Sequence, residues 1–256
     1  MDSPDTPSAK SPDRLTRILR WVVGLLVIGL VVAAGLYGTA YTVSPSVISH
    51  PTSTHEHLRL QIVVGGHPVN FGDTQYQTEF NKDICTAALT EQPIHFHDHL
   101  DQFVHLHWAG ITGGLLLKDY GWDLIGGAND TLGYRFDHLP VLSRVPIHGH
   151  DLPTVPAGAH YYVYTGTATN FHQRNWSDFL HQSLHQFLSG TPVTRLPWWA
   201  SFTATASAHG DDEQLTQINH VIGNVVIFVQ SSPPSQTEVQ DRLNHLIDLP
   251  DSACGG

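Results

Sequence analysis

The chemistry in this chain is concentrated in imidazole. Nineteen histidines stand against two cysteines and a single methionine, Met1. The densest stretch runs from Ile94 to Trp108 and places His95 and His97 two apart, then His105 and His107 two apart. On a β-strand, residues two apart share a face. Ile94 and Phe96 then point to one side, joined by Val104, Leu106 and Trp108 of a returning strand. If one side of this hairpin is buried, only an odd-length turn keeps the apolar residues together, and it also brings all four histidines onto the other side. Two pairings satisfy this: His97 opposite His105, or His95 opposite His105 with a turn shorter by two. Opposed Cβ atoms lie about 4.5–5.5 Å apart, so four imidazoles can reach one ion at a metal–nitrogen distance of about 2.0–2.1 Å.

The spacing therefore predicts a transition-metal site at His95, His97, His105 and His107. Imidazole ligation suits Cu(II), Zn(II) or Ni(II); Cu or Zn is the expected ion, and thioether carriage of Cu(I) is excluded because Met occurs only at position 1. Asp98 and Asp101 are placed to orient the rings from outside, and His99 falls in the turn. Two blander readings compete. The cluster is a pH-responsive or structural one, since neutral imidazoles charge near pH 6 and then repel, or it is a polar outer face that uses histidine by chance.

Weaker pairs accompany the hairpin. His55 and His57 repeat the i, i+2 pattern. His148 and His150 lie in a proline-bounded loop, and His181 and His185 are four apart, a spacing that chelates on a helix. Singly, each of these pairs reads more readily as surface histidine. His138, His209, His220 and His245 carry no argument. Cys85 and Cys254 read as a disulfide if they face an oxidising compartment; two unpaired thiols or a pair of copper ligands are the alternatives.

Behind these residues stand the elements that must hold them. Trp21 to Tyr41 contains no charge and no proline. As a helix at ~1.5 Å per residue it spans roughly 30 Å, the thickness of a hydrocarbon core. An uncleaved signal-anchor is expected, in preference to a cleaved signal peptide or a buried core helix. Lys10, Arg14, Arg17 and Arg20 precede it, so the positive-inside rule puts residues 1–20 in the cytoplasm and the rest outside. The expected order is a disordered leader 1–20, a transmembrane helix 21–41 and a linker 42–54. A His-rich β-hairpin domain 55–139 and a second α+β half 140–256 follow.

Strand patterns occupy 57–64, returning after Gly65-Gly66, and also 160–164 and 221–230. Helix signals cover 112–120, a capped segment from Asn175 to Ser189, and a segment capped by Ser235. A short strand is expected at 133–136. Strands and helices mix without regular βαβ alternation, which gives an α+β class.

Composition narrows the function. Charged residues make up 14% of the chain, against about a quarter in an average protein. The formal net charge is −11, which excludes a nucleic-acid binder needing a basic face. The expected partners are the membrane, through one helix, a metal ion, and a membrane-protein partner if the domain serves a complex.

Known motifs find little purchase. His95-x-His97 is similar to the first cupin motif, but Asp101 and Gly110 miss the Glu and Gly positions. His95-x-His97-Asp98-His99 is one residue short of the metallo-β-lactamase pattern. Neither His-Glu-x-x-His nor Gly-x-Ser-x-Gly occurs. The run from His95 to Trp122, with Gly65-Gly66-His67-Pro68-Val69 before it, resembles a group of single-span, outward-facing His-rich bacterial and archaeal membrane proteins. That resemblance covers about residues 55–125 and implies no established activity. The expected function is thus an extracytoplasmic metal protein for buffering, sensing or delivery. A metal-dependent enzyme and a structural subunit of a membrane complex are the alternatives.

Overall fold

The computed structural model describes residues 13–49, 51–77, 93–97, 99–125, 133–134, 140–141, 152–192 and 221–247. Cys85, Cys254, Asp98, His148 and His150 lie outside the described residues. The chain divides into two units, 1–42 and 43–256.

The first unit is built on one helix, α1 (Arg14–Val43), of 30 residues with none buried. It is long and apolar enough to cross a membrane, and the predicted span 21–41 lies inside it. The Asp13 carboxylate accepts from the Thr16 backbone N–H at 2.7 Å and satisfies one of the open donors of the first turn.

The second unit is a mixed α+β assembly. Its elements in order are α2 (Ser46–Ser49), β1 (Ser53–Val64), β2 (His67–Pro68), β3 (Ile94–His95), β4 (Phe103–Trp108), α3 (Gly113–Asp119), β5 (Gly133–Tyr134), β6 (Pro140–Val141), β7 (His160–Thr167), β8 (Asn170–Arg174), α4 (Trp176–His181), α5 (Leu184–Ser189), β9 (Val221–Gln230) and α6 (Gln236–Asn244). Seven strands form one sheet in the order β3-β4-β1-β9-β7-β8, with β2 returning along β1; β5 and β6 pair separately. β1 and β9 run parallel at its centre, and every other pair is antiparallel. Strands from both sides of residue 140 therefore share this sheet.

Period-2 alternation gives the sheet two faces. Leu58, Leu60 and Ile62 of β1 are fully buried on one. Glu56, Gly223 and Tyr161 belong to this face by register. They meet His185, Leu188 and Trp176 respectively, so α4 and α5 cover it. A Cβ on Gly113 would stand 2.4 Å from the Phe179 ring; only glycine lets α3 approach α4 so closely. On the opposite face Val63, Val226, Phe228 and Tyr164 pack beneath Val239 and Leu243 of α6.

Among the departures from the sequence expectation, α1 begins at Arg14, inside the leader expected to be disordered, and α2 and the start of β1 occupy the expected linker 42–54; two others bear on the site. The segment from Asn175 to Ser189 is two helices instead of one. Asn175 caps α4, accepting from Asp178 N–H, but Gln182 is extended and Ser183 caps a new helix by accepting from Gln186 N–H. Ser183 bridges to Thr112, and Leu184 N–H donates to the Ile111 carbonyl at 2.7 Å. That pairing to a neighbouring segment breaks the helix where its own hydroxyl can restart it.

The second difference concerns the hairpin. One buried face was expected, and both are buried. Ile94, Phe96, Val104, Leu106 and Trp108 are no more than 2% exposed, and so are His95, His97, His105 and His107.

Candidate metal centre

The register of the three strands at one end of the sheet builds the site. His95 of β3 stands opposite His105 of β4, and His105 stands opposite His57 of β1. This is the shorter-turn pairing of the two that parity allows. A row of three imidazoles thus crosses three adjacent strands. Each strand brings a second histidine two residues along: His55 before His57, His97 after His95, and His107 after His105. A register shift in β1 between Ser53 and Glu56 accompanies the turn of His55 toward its neighbours.

Six imidazoles gather in this way, and all are buried, His55 at 2% exposure being the most accessible. His57 Nε2 lies 3.0 Å from His55 Nε2 and 2.9 Å from His105 Nδ1. His95 stacks on His105 at 5.1 Å and on His107 at 4.9 Å between ring centroids. His55 also meets His107 at 4.8 Å, and His97 meets His105 at 4.1 Å. Phe103 stacks on His57 at 4.8 Å and closes the row on one side.

Two sets of three have ligand nitrogens all within 4.8 Å of one another: His55, His57 and His105, and His95, His105 and His107. These groups have the geometry to hold a metal ion. His105 belongs to both, and His97 flanks them.

Burial sets the electrostatics. It lowers the pKa of His55 to about 4 and of His107 to about 3, and holds that of His105 well below the ordinary value of 6.5; charge repulsion among the rings adds to each shift. These rings are neutral at pH 7, which is the form that ligates metal. Among the described residues, neither ring nitrogen of His107 and not the Nε2 of His105 meets a hydrogen-bond partner. A buried polar atom left so costs about 1–3 kcal/mol, a cost that a metal ion taking a lone pair would relieve.

The turn between β3 and β4 is fixed from outside the cluster. His99 and Gln102 adopt positive φ values of 55° and 71°, a conformation non-glycine residues hold only when their surroundings impose it. Asp101 accepts from Phe71 N–H at 2.8 Å and from the Gln102 amide at 3.1 Å. Its predicted role of orienting the imidazoles is replaced by that of an anchor for the turn. The Gln102 carbonyl accepts from Leu60 N–H at 2.7 Å, and its side-chain oxygen accepts from Ile247 N–H at 3.0 Å. His99 is exposed, as expected, with Nδ1 at 3.0 Å from the Gly72 carbonyl.

The other histidines are placed elsewhere. His181 ends α4, exposed, with Nδ1 against its own Ser177 carbonyl at 2.9 Å. His185 lies on α5 against the opposite face of the sheet, where its Nδ1 meets the Glu56 carboxylate at 2.6 Å. The broken helix separates them, so they form no i, i+4 chelate.

Sequence reasoning ranked His55 and His57 with the surface pairs. The missed signal is their repetition of the same His-x-His phase on a third strand, which pairs with β4 across a long stretch of chain and sets His57 against His105. No known protein family, curated protein or solved structure matches this chain.

Proposed function

We propose that this chain is a membrane-anchored extracytoplasmic protein that holds Cu or Zn through its buried histidines, for buffering, sensing or delivery. The observation that carries the reading is the double contact of His57 Nε2, at 3.0 Å to His55 Nε2 and 2.9 Å to His105 Nδ1. An imidazole nitrogen has one in-plane hydrogen or lone pair, so it serves one hydrogen-bond partner well and not two. Three lone pairs aimed at a shared ion have no such conflict. Ligand nitrogens about 2.05 Å from an ion sit about 3.3 Å apart in tetrahedral geometry and about 2.9 Å apart at right angles.

Charge supports cation capture. From residue 43 onward the chain carries 20 acidic and 8 basic side chains, a balance that raises local cation concentration. The anchor is α1, with Lys10, Arg14, Arg17 and Arg20 on its cytoplasmic side by the positive-inside rule.

A metal-dependent enzyme is the second reading. Either three-histidine set leaves a coordination position open, while the near-complete burial of the rings weighs against entry of a substrate larger than water. The test is metal analysis of the full chain in detergent, before and after chelation, paired with thermal melting. Stoichiometric metal whose removal lowers the melting temperature supports a metal protein. No metal and unchanged melting overturns it in favour of a structural role for the histidines.

A further inference from the structure

The six histidines are more than one ion needs, and their arrangement divides them around a single ring. His105 is the one residue common to both convergent sets, and it occupies the middle of the row His95–His105–His57. Its Nδ1 faces His57 Nε2 at 2.9 Å. Its Nε2, on the opposite edge of the ring, is buried without a hydrogen-bond partner among the described residues. His107, in the second set, has two buried ring nitrogens in the same condition. A terminal ligand uses one ring nitrogen and normally engages the other with a hydrogen-bond acceptor. The His105 Nε2 has no such acceptor among the described residues, the group at its Nδ1 is an imidazole of the first set, and the ring belongs to both sets.

We propose that the centre binds two metal ions and that the His105 ring lies between them. The inference rests on the metal-binding reading above and deepens it. His55 and His57 complete one ion's shell with one nitrogen of His105. His95 and His107 complete the other's with its second nitrogen, which requires the His95 ring to turn out of the stack it forms with both. A neutral imidazole carries one N–H, so the second ion displaces that proton to solvent and the ring becomes a bridging imidazolate. The net change is two divalent ions bound and one proton released from His105, with no change of oxidation state.

Cu(II) is the probe, because paramagnetic ions joined through one imidazolate couple magnetically. The full chain in detergent, stripped with chelator, is loaded with Cu(II), desalted, and measured for copper content and electron paramagnetic resonance intensity. The proposal expects two copper ions per chain and a spin intensity well below that of two isolated ions. His57→Asn and His107→Asn each remove a ligand from one set only. Each is expected to bind one copper ion with the full signal of an isolated centre, and circular dichroism verifies that it is folded. Retention of one copper ion by the unsubstituted chain overturns the two-ion centre and leaves the metal protein standing. Two ions with undiminished spin intensity overturn the bridge. Two coupled ions in both variants also overturn it, because His105 would then not join these two sets. No retained copper overturns the metal-binding reading itself.

Discussion

His57 Nε2 and His105 Nδ1 are 2.9 Å apart, although 48 residues of chain separate them. The antiparallel register of β1 and β4 makes them direct neighbours, and the same register sets His105 against His95. His105 is therefore the residue on which both histidine sets depend. Even the outer partners of metal ligands are worth about 10–100-fold in affinity, so His105→Ala is expected to weaken Cu(II) or Zn(II) binding by more than about 100-fold. His99→Ala, on an exposed turn residue outside the cluster, leaves it unchanged. Competition titration against a chromogenic chelator measures both.

The metal-free protein is expected to be labile in acid. The ordinary histidine value is 6.5, and burial lowers His55 to about 4, His107 to about 3, and His105 in the same direction. Above pH 6.5 these rings are neutral in both folded and unfolded chains. As pH falls below it, the unfolded chain takes up protons that the folded chain refuses. Each such ring then removes stability at about 1.4 kcal/mol per pH unit. Three rings acting together exhaust a typical stability of about 5–15 kcal/mol within a few pH units. Melting of the chelator-treated protein should fall steeply between pH 6.5 and 4. A flat profile over that range contradicts the burial of these rings as neutral species.

Much of this was legible in the residues, for reasons that separate by range. The caps at Asn175 and Ser235 act within three residues, and the alternation in β1 and β4 acts within one strand, so both could be read locally. The parity of the hairpin put His95, His97, His105 and His107 on one face but allowed two pairings, and the register that sets His95 against His105 is seen only in the fold. The pairing of β1 with β4 has no local signal, which is why His55 and His57 looked peripheral. The break at Gln182–Ser183 is likewise imposed by a remote segment, Ile111–Thr112. Burial of the histidine face defeated the expectation of a one-sided sheet, because it depends on the packing of the whole unit.

His185 and Glu56 provide a control. Their contact of 2.6 Å joins α5 to β1 on the face away from the six rings. Glu56→Gln is expected to leave metal content unchanged and to cost about 1 kcal/mol or less, since both side chains retain some solvent exposure. Metal analysis and denaturant unfolding check the two halves of this statement. Loss of metal in Glu56→Gln would place the carboxylate within reach of the ion and contradict the assignment of the site to the imidazole face.

The proposed membrane anchor makes a separate prediction. Full-length protein should fractionate with membranes and resist extraction by carbonate, whereas a chain beginning at residue 43 should not. In right-side-out vesicles, external protease should digest the residues beyond 43 and spare an epitope placed before Arg14. Protection of the C-terminal part with loss of that epitope reverses the orientation inferred from Lys10, Arg14, Arg17 and Arg20.

X-ray absorption at the metal edge tests the central claim most directly, on full-length protein loaded with Cu(II) or Zn(II) and freed of excess ion. Convergence of the buried rings predicts a first shell of nitrogen at about 2.0 Å with the outer-shell scattering pattern of several imidazoles per ion. An oxygen-dominated shell without that imidazole pattern, or no metal retained, would contradict it.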